Sequence, residues 1–153
     1  MQVKYINPFL QASMNLFQTF LGLKVTAGKP FARDDPHDLE EVSGMIGLAG
    51  ETTGAVVLSF SRETAMKMVS KMEGKEYMAL GKEVLDGVGE LVNIIAGNAK
   101  KGLAEFRIAI SLPGVITGKA YQIHWPEGIP VVAIPFESEA GPFSVNVSLR
   151  DMA

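Results

Sequence analysis

Residues 42–60, VSGMIGLAGETTGAVVLSF, decide the fold. Val42 to Leu48 and Thr53 to Phe60 are rich in β-branched and apolar residues, and Ala49-Gly50-Glu51-Thr52 between them is short enough for an antiparallel hairpin. Immediately downstream, Ser61 is placed to cap a helix that carries Glu63 in its first turn, and Gly74 follows the last periodic residue, so a helix is predicted over Arg62 to Met72. A longer helix is expected from about Leu80 to Ala104. Beyond it, Ile108 to Ile110, Val115 to Ile123, Pro130 to Glu137 and Phe143 to Leu149 read as strands, the last two joined around Glu139-Ala140-Gly141-Pro142.

Upstream of the hairpin, Asn7-Pro8 is a helix-start signal, since Asn caps free amides and Pro fits the first helical position. That first helix is expected to run to about Phe20, with Phe9, Leu10, Met14, Phe17, Phe20 and Leu21 turned toward the core and Gly22 closing it in a left-handed conformation. Lys24 to Ala32 then leads as a strand into the polar loop Arg33 to Asp38. Helix, strands, two helices, strands is the order of an α+β fold. It implies an antiparallel sheet of about six strands with three helices packed on one face, not a wheel of parallel units.

With 153 residues and 47% of them hydrophobic, residues 1–153 are read as one domain with a sizeable core. Fourteen Lys and Arg against seventeen Asp and Glu leave a net charge of -3, which argues against nucleic acid as a partner. No stretch reaches the roughly 20 apolar residues of a membrane span, and the start lacks a signal-peptide pattern, so a cytoplasmic, membrane-free location is expected. The absence of cysteine removes disulfides and thiolate chemistry, and two histidines, His37 and His124, build no metal site. Both histidines are read as structural or solvated, because neither has triad partners in useful context.

The segment Lys82 to Lys101 is the informative one. At about 100° per residue, Val84, Leu85, Val88, Leu91, Val92, Ile95 and Ala99 form a stripe for the sheet. Asp86, Glu90, Asn93 and Gly97, at steps of four, three and four, stack in a narrow column on the opposite side. Such a column can simply solubilise an exposed face. The glycines add information, because Gly87, Gly89, Gly97 and Gly102 each cost a helix interior about 1 kcal/mol relative to Ala. Gly87 and Gly89 are expected to pack tightly inward, and Gly97 to admit a surface that docks flush. Met66, Met68, Met72 and Met78 fit core packing better than a docking surface.

The run Leu85-Asp86-Gly87-Val88-Gly89-Glu90-Leu91-Val92-Asn93-Ile94-Ile95-Ala96-Gly97-Asn98 resembles the signature helix of the CheC/CheX/FliY family of chemotaxis phosphatases. Its pattern is Asp or Ser, three residues, Glu, two residues, Asn, and Asp86, Glu90 and Asn93 fill all three positions. Pro113 looks like the counterpart of the family's downstream proline, at a slightly shorter interval. The similarity extends over most of the chain, including residues 47–54 and 59–65, and a single Glu-x-x-Asn copy is similar to the one-site CheX branch rather than to two-site CheC.

The resemblance implies a phosphatase that hydrolyses the aspartyl-phosphate of a CheY-like response-regulator receiver and ends a chemotaxis signal. It implies catalytic roles for Asn93, which positions the attacking water, and Glu90, which clamps the receiver's lysine, with Asp86, Gly97 and Pro113 in support. It also implies no cofactor in this chain, Mg²⁺ in the partner receiver's active site, and a homodimer joined through sheet edges. The alternative is a non-catalytic receiver-binding adaptor related to flagellar switch proteins, for which a water-holding amide at Asn93 has no use.

Overall fold

A computed structural model describes residues 3–152. The expected hairpin is present: β3 (Val42–Gly50) pairs antiparallel with β4 (Gly54–Phe60), with Val42 opposite Phe60 and Leu48 opposite Gly54. Around it an eight-stranded sheet takes the order β1-β7-β8-β4-β3-β5, built from β1 (Val25–Ala27), β7 (Val132–Ser138), β8 (Phe143–Leu149) and β5 (Ile108–Ile110). β2 (Phe31–Ala32) also pairs with β7, and β6 (Gly114–Thr117) also pairs with β3.

The fold class is α+β as read, and the strand count is eight instead of about six for local reasons. The segment Lys24 to Ala32 breaks into two short strands around Gly28, whose N–H still donates to Pro135 O at 2.7 Å, and Pro30, which has no N–H to give a ladder. The strand expected over Val115 to Ile123 stops at Thr117, where Gly118 adopts φ +133° and turns the chain away.

Three helices cover one face: α1 (Val3–Met14), α2 (Arg62–Glu73) and α3 (Lys82–Lys101). Ser61 caps α2 by accepting from the Thr64 N–H, and Gly74 closes it at φ +69°. α3 is shorter than expected at both ends, with Gly102 outside the helix at its C-terminal cap.

α1 differs more. Its start is not at Asn7-Pro8: the helix is already formed at Val3, and Pro8 lies inside it. Burial of Tyr5 and Ile6, with the Tyr5 ring 5.7 Å from that of Phe106, draws the residues before the proline into the helix and offsets the lost hydrogen bond. After Met14 the chain widens into a π-helical turn, Asn15–Phe20, in which the Leu21 N–H donates to Leu16 O at 2.9 Å. Gly22 ends it at φ +69°, as the sequence suggested.

Between helices and sheet lies the main core. From β4 come Val56, Leu58 and Phe60, from β8 Phe143, Val145, Val147 and Leu149, and from α3 Val84, Val88, Leu91, Val92 and Ile95. Phe17, Phe60, Phe136 and Phe143 form an aromatic cluster, the last two stacked at 4.9 Å.

The other face of the sheet is covered too. Segments 33–41 and 118–131 fold over it around a small cluster of Ala55, Val57, Ile123, Trp125 and Val131. The Trp125 indole N–H donates to Pro36 O at 3.0 Å, and Tyr121 OH donates to Glu40 O. Beneath this cover are buried Ser43, Ser59, Ser144, Asn146 and Ser148. Arg33 Nε donates to Asn146 Oδ1 at 2.7 Å, and a terminal guanidinium nitrogen donates to Ser144 Oγ at 3.3 Å. Burial pulls the Arg33 pKa below its ordinary value, against the nearby Asp38, Glu40 and Asp35.

Candidate functional site

α3 has neighbours in three directions and meets two of them through glycines that leave no room for a side chain. Beneath it, a Cβ on Gly44 of β3 would lie 3.0 Å from Val88 Cγ1 and 3.1 Å from Val88 O, so the helix rests on the strand with no side chain between. On one flank, a Cβ on Gly87 would come 2.5 Å from Val69 Cγ1 of α2. On the other flank, Gly89 faces Val115 and Pro113, where a Cβ would make ordinary contact at 3.4 and 3.6 Å. The tight inward packing expected of both glycines is observed at Gly87, against a helix instead of a strand, whereas Gly89 is buried but would accept a Cβ at ordinary contact. Gly44 was not singled out from the sequence, although a glycine inside a β-rich run is the usual mark of a close backbone approach.

Held in this way, α3 turns its polar column outward. Asp86, Glu90 and Asn93 are exposed, Gly97 is partly exposed, and a Cβ on Gly97 would meet nothing within 4 Å. The four residues share one face of the helix, with Glu90 and Asn93 separated by one turn, roughly 5–6 Å between Cβ atoms. Asp86 faces Lys82 Nζ at 3.9 Å, an exposed i,i+4 pair of little energetic weight. The ion pairs among the described residues, Arg62–Glu41 and Lys82–Asp86, leave Glu90 unengaged. Pro113 is exposed at the edge of the column, where it lines a shallow groove with Leu85, Asp86 and Gly89.

The chemistry available to this face is that of one free carboxylate and one free carboxamide on a rigid helix. The carboxylate accepts from a cation or an N–H. The carboxamide both donates and accepts and carries no charge. Lys100 and Lys101 in the last turn suit the negative end of the helix dipole. Among the described residues no group of three or more His, Asp or Glu is arranged to hold a metal ion.

Other singled-out residues lie elsewhere. His37 is half-buried and its Nδ1 accepts from the Ile123 N–H at 3.4 Å, while His124 is exposed. Met68 is buried, Met66 and Met72 pack at the core margin, and Met78 is exposed, so the methionines divide instead of sharing one role. Phe20 departs from expectation: it is 73% exposed and not in the core. The π-helical turn is the reason, because its residues advance by less than the α-helical 100°, and a three-residue step from buried Phe17 no longer returns to the core face. No helix among the described residues is long and apolar enough to cross a membrane.

Comparison with known proteins places this helix in context. A family described as "Chemotaxis phosphatase CheX" matches residues 42–137, which include β3, β4, α2, α3 and Pro113. The chain is 33% identical over 129 residues to the CheY-P phosphatase CheX of Thermotoga maritima, covering 80% of this chain and 81% of that protein. Among solved structures, a chemotaxis protein CheX from Vibrio vulnificus superimposes with a TM-score of 0.86 at 32% identity, over 95% of this chain and 99% of that one. A CheX–CheY–BeF₃–Mg²⁺ complex from Borrelia burgdorferi gives a TM-score of 0.82 at 29% identity, over 97% of this chain and 99% of that one. Matched across most of its length in sequence and nearly all of it in structure, the chain belongs to the chemotaxis phosphatase CheX family.

Proposed function

We propose that this protein is a cytoplasmic phosphatase for the aspartyl-phosphate of a CheY-type receiver, with Glu90 and Asn93 as its catalytic residues. The observation that carries the reading is the pairing of Glu90 and Asn93 on the exposed face of α3, beside an open Gly97, in a chain of the CheX family. Support for the partner comes from the Borrelia relative, whose structure is that of a complex with CheY, BeF₃ and Mg²⁺.

The division of labour follows from charge. An acyl phosphate is already activated, so hydrolysis chiefly needs water held in line with the leaving carboxylate while cations neutralise the phosphoryl oxygens. Mg²⁺ and a lysine belong to the receiver in this reading. Asn93 receives the water's hydrogen bond and donates one of its own without bringing negative charge to the phosphoryl group. The water oxygen bonds to phosphorus, the bond to the aspartyl oxygen breaks, and inorganic phosphate leaves with the water's proton passing to phosphate or solvent. Glu90 pairs with the receiver's lysine and sets the depth at which Asn93 enters. Asp86 supports the approach from one turn below, Gly97 lets the receiver's backbone come close, and Pro113 borders the contact.

The reading includes a homodimer joined through sheet edges. The strands available are β1 with β2 at one margin and β5 with β6 at the other, and unpaired edges of this kind favour such pairing. The test of function is phosphate release from a phosphorylated CheY-type receiver, wild type beside Asn93→Ala and Glu90→Ala. Both variants are expected to lose activity while remaining folded. If both keep wild-type rates, these residues are not the site, and binding without any release in the wild type supports the adaptor alternative.

A further inference from the structure

Phe20, turned outward by the π-helical turn, forms one wall of a groove against α3. The groove encloses about 590 Å³ and is lined by Asn15, Leu16, Thr19, Phe20, Ile94 and Asn98. Leu16 is buried and forms the floor, Ile94 is half-buried, and Phe20 is the exposed apolar wall. No lining residue is charged.

We infer that this groove is a second contact for the receiver, and that it takes an apolar side chain from the receiver face that docks on α3. The inference rests on the proposed phosphatase site and extends it. Continuity is the first argument: Ile94 and Asn98 directly follow Asn93 and Gly97 on α3, so a body seated on the column meets the groove without crossing another element. Open access is the second. Gly97 ends the column next to Asn98 of the groove, and nothing stands within 4 Å of where its Cβ would be, so a flush surface can reach from one to the other.

The π-helical turn is the third argument. It withdraws a large aromatic from the core side of the first helix and presents it to solvent, which forgoes the burial such a side chain would otherwise gain. π-helical insertions concentrate at functional sites. The neutral lining selects an uncharged side chain, since a charge there would lose its water with no counter-charge to meet it. The groove therefore contributes affinity and register, while the reacting atoms remain with Glu90 and Asn93.

The experiment is steady-state phosphate release from a phosphorylated CheY-type receiver, together with titration of the beryllofluoride-activated receiver, for wild type, Phe20→Ser, Phe20→Leu and Asn93→Ala. Phe20→Ser is expected to raise KM and Kd about tenfold with kcat within twofold of wild type, and Phe20→Leu to recover most of the affinity. Asn93→Ala moves kcat instead. Because Phe20 is exposed, its variants keep the wild-type melting temperature, which a parallel melt verifies. Unchanged KM and Kd in Phe20→Ser, beside an active wild type and an inactive Asn93→Ala, overturns this inference alone. A shift in the chain's own oligomeric mass in Phe20→Ser overturns it in favour of a second copy as the occupant. A wild type that neither binds nor dephosphorylates the receiver removes the reading beneath it as well.

Discussion

Gly87 of α3 lies so close to Val69 of α2 that an added Cβ would sit 2.5 Å from Val69 Cγ1 and 2.8 Å from Cγ2. Val69 is fully buried and β-branched, so it has no rotamer to retreat into. Gly87→Ala gains about 1 kcal/mol of helix propensity and loses about 1–3 kcal/mol to overpacking. The expected balance is a loss of about 1 kcal/mol, seen as a Tm lower by about 2–4 °C. Gly97→Ala meets empty space and is expected to raise Tm by a similar amount. A thermal melt of the two variants side by side gives opposite signs; equal signs contradict the packing described.

At Asn93 the expected loss is catalytic. Asn93→Ala should reduce kcat by about 10²–10³, the scale of one transition-state hydrogen-bond donor, while Kd for the beryllofluoride-activated receiver changes little. Asn93→Asp restores shape but adds a negative charge beside the phosphoryl group, and is expected to be no better than alanine. Rapid-mixing phosphate release, read against a binding titration, separates the two quantities.

Glu90 should act mainly on the encounter. Glu90→Gln keeps the shape of the side chain and removes the charge proposed to meet the receiver's lysine, so Kd is expected to rise about tenfold or more. The dependence of Kd on salt should flatten in the same variant, because exposed charge pairs are the part of the contact that ions screen. Titrations at low and high salt, wild type against variant, provide the measurement.

On the far face of the sheet, Asn146 bridges Arg33, Ser144 and Val57 O. Asn146→Ala leaves the Arg33 guanidinium half-buried without its 2.7 Å acceptor and opens a small void. A loss of about 2–4 kcal/mol is expected. Phosphatase activity per folded molecule should hold, since α3 is on the opposite face. Urea unfolding followed by an assay at low temperature tests both halves.

Tyr121 gives the fold an alkaline edge. Its phenol is shared with Ser43 Oγ at 2.5 Å and donates to Glu40 O, and desolvation, aided by Glu40, raises its pKa above the ordinary value. Between about pH 10 and the higher folded value, the unfolded chain releases a proton that the folded chain keeps, so stability falls as pH rises through that window. Tyr77 is shifted in the same direction by desolvation and Glu83, so Tyr121→Phe should lessen the alkaline loss without removing it. Urea midpoints at pH 8.5 and above pH 10 show whether the slope changes.

Where side-chain period and capping residues dominate, sequence and structure agree. Ser61 and Gly74 bound α2, the β3–β4 hairpin has its expected pairing, and the outward column of α3 follows from a 100° wheel. The disagreements occur where tertiary contacts outweigh local rules. Pro8 sits inside α1 because Tyr5 and Ile6 are buried, and Phe20 leaves the core because a π-helical turn changes the period after Met14. The second covered face was also missed: in β8, Phe143, Val145, Val147 and Leu149 alternate with Ser144, Asn146 and Ser148, a pattern that reads as solvated until a loop is seen to lie over it. Of the proposed site, the shared outward face of Glu90 and Asn93 was legible from spacing. The groove beside them was not, because it depends on how two helices meet.

Gly44 and Gly87 have a bearing on how this surface tolerates change. With a strand below, α2 at one side and β6 at the other, α3 has little freedom to roll about its long axis. A roll of only about 10° would sweep a side-chain tip some 1 Å sideways, given a helix radius of roughly 5–6 Å. Misalignment of that size is enough to spoil a reaction that needs an in-line approach. A single methyl added on the hidden side of the helix can therefore silence the visible side without unfolding anything, so the surface residues alone are a poor guide to which variants stay active.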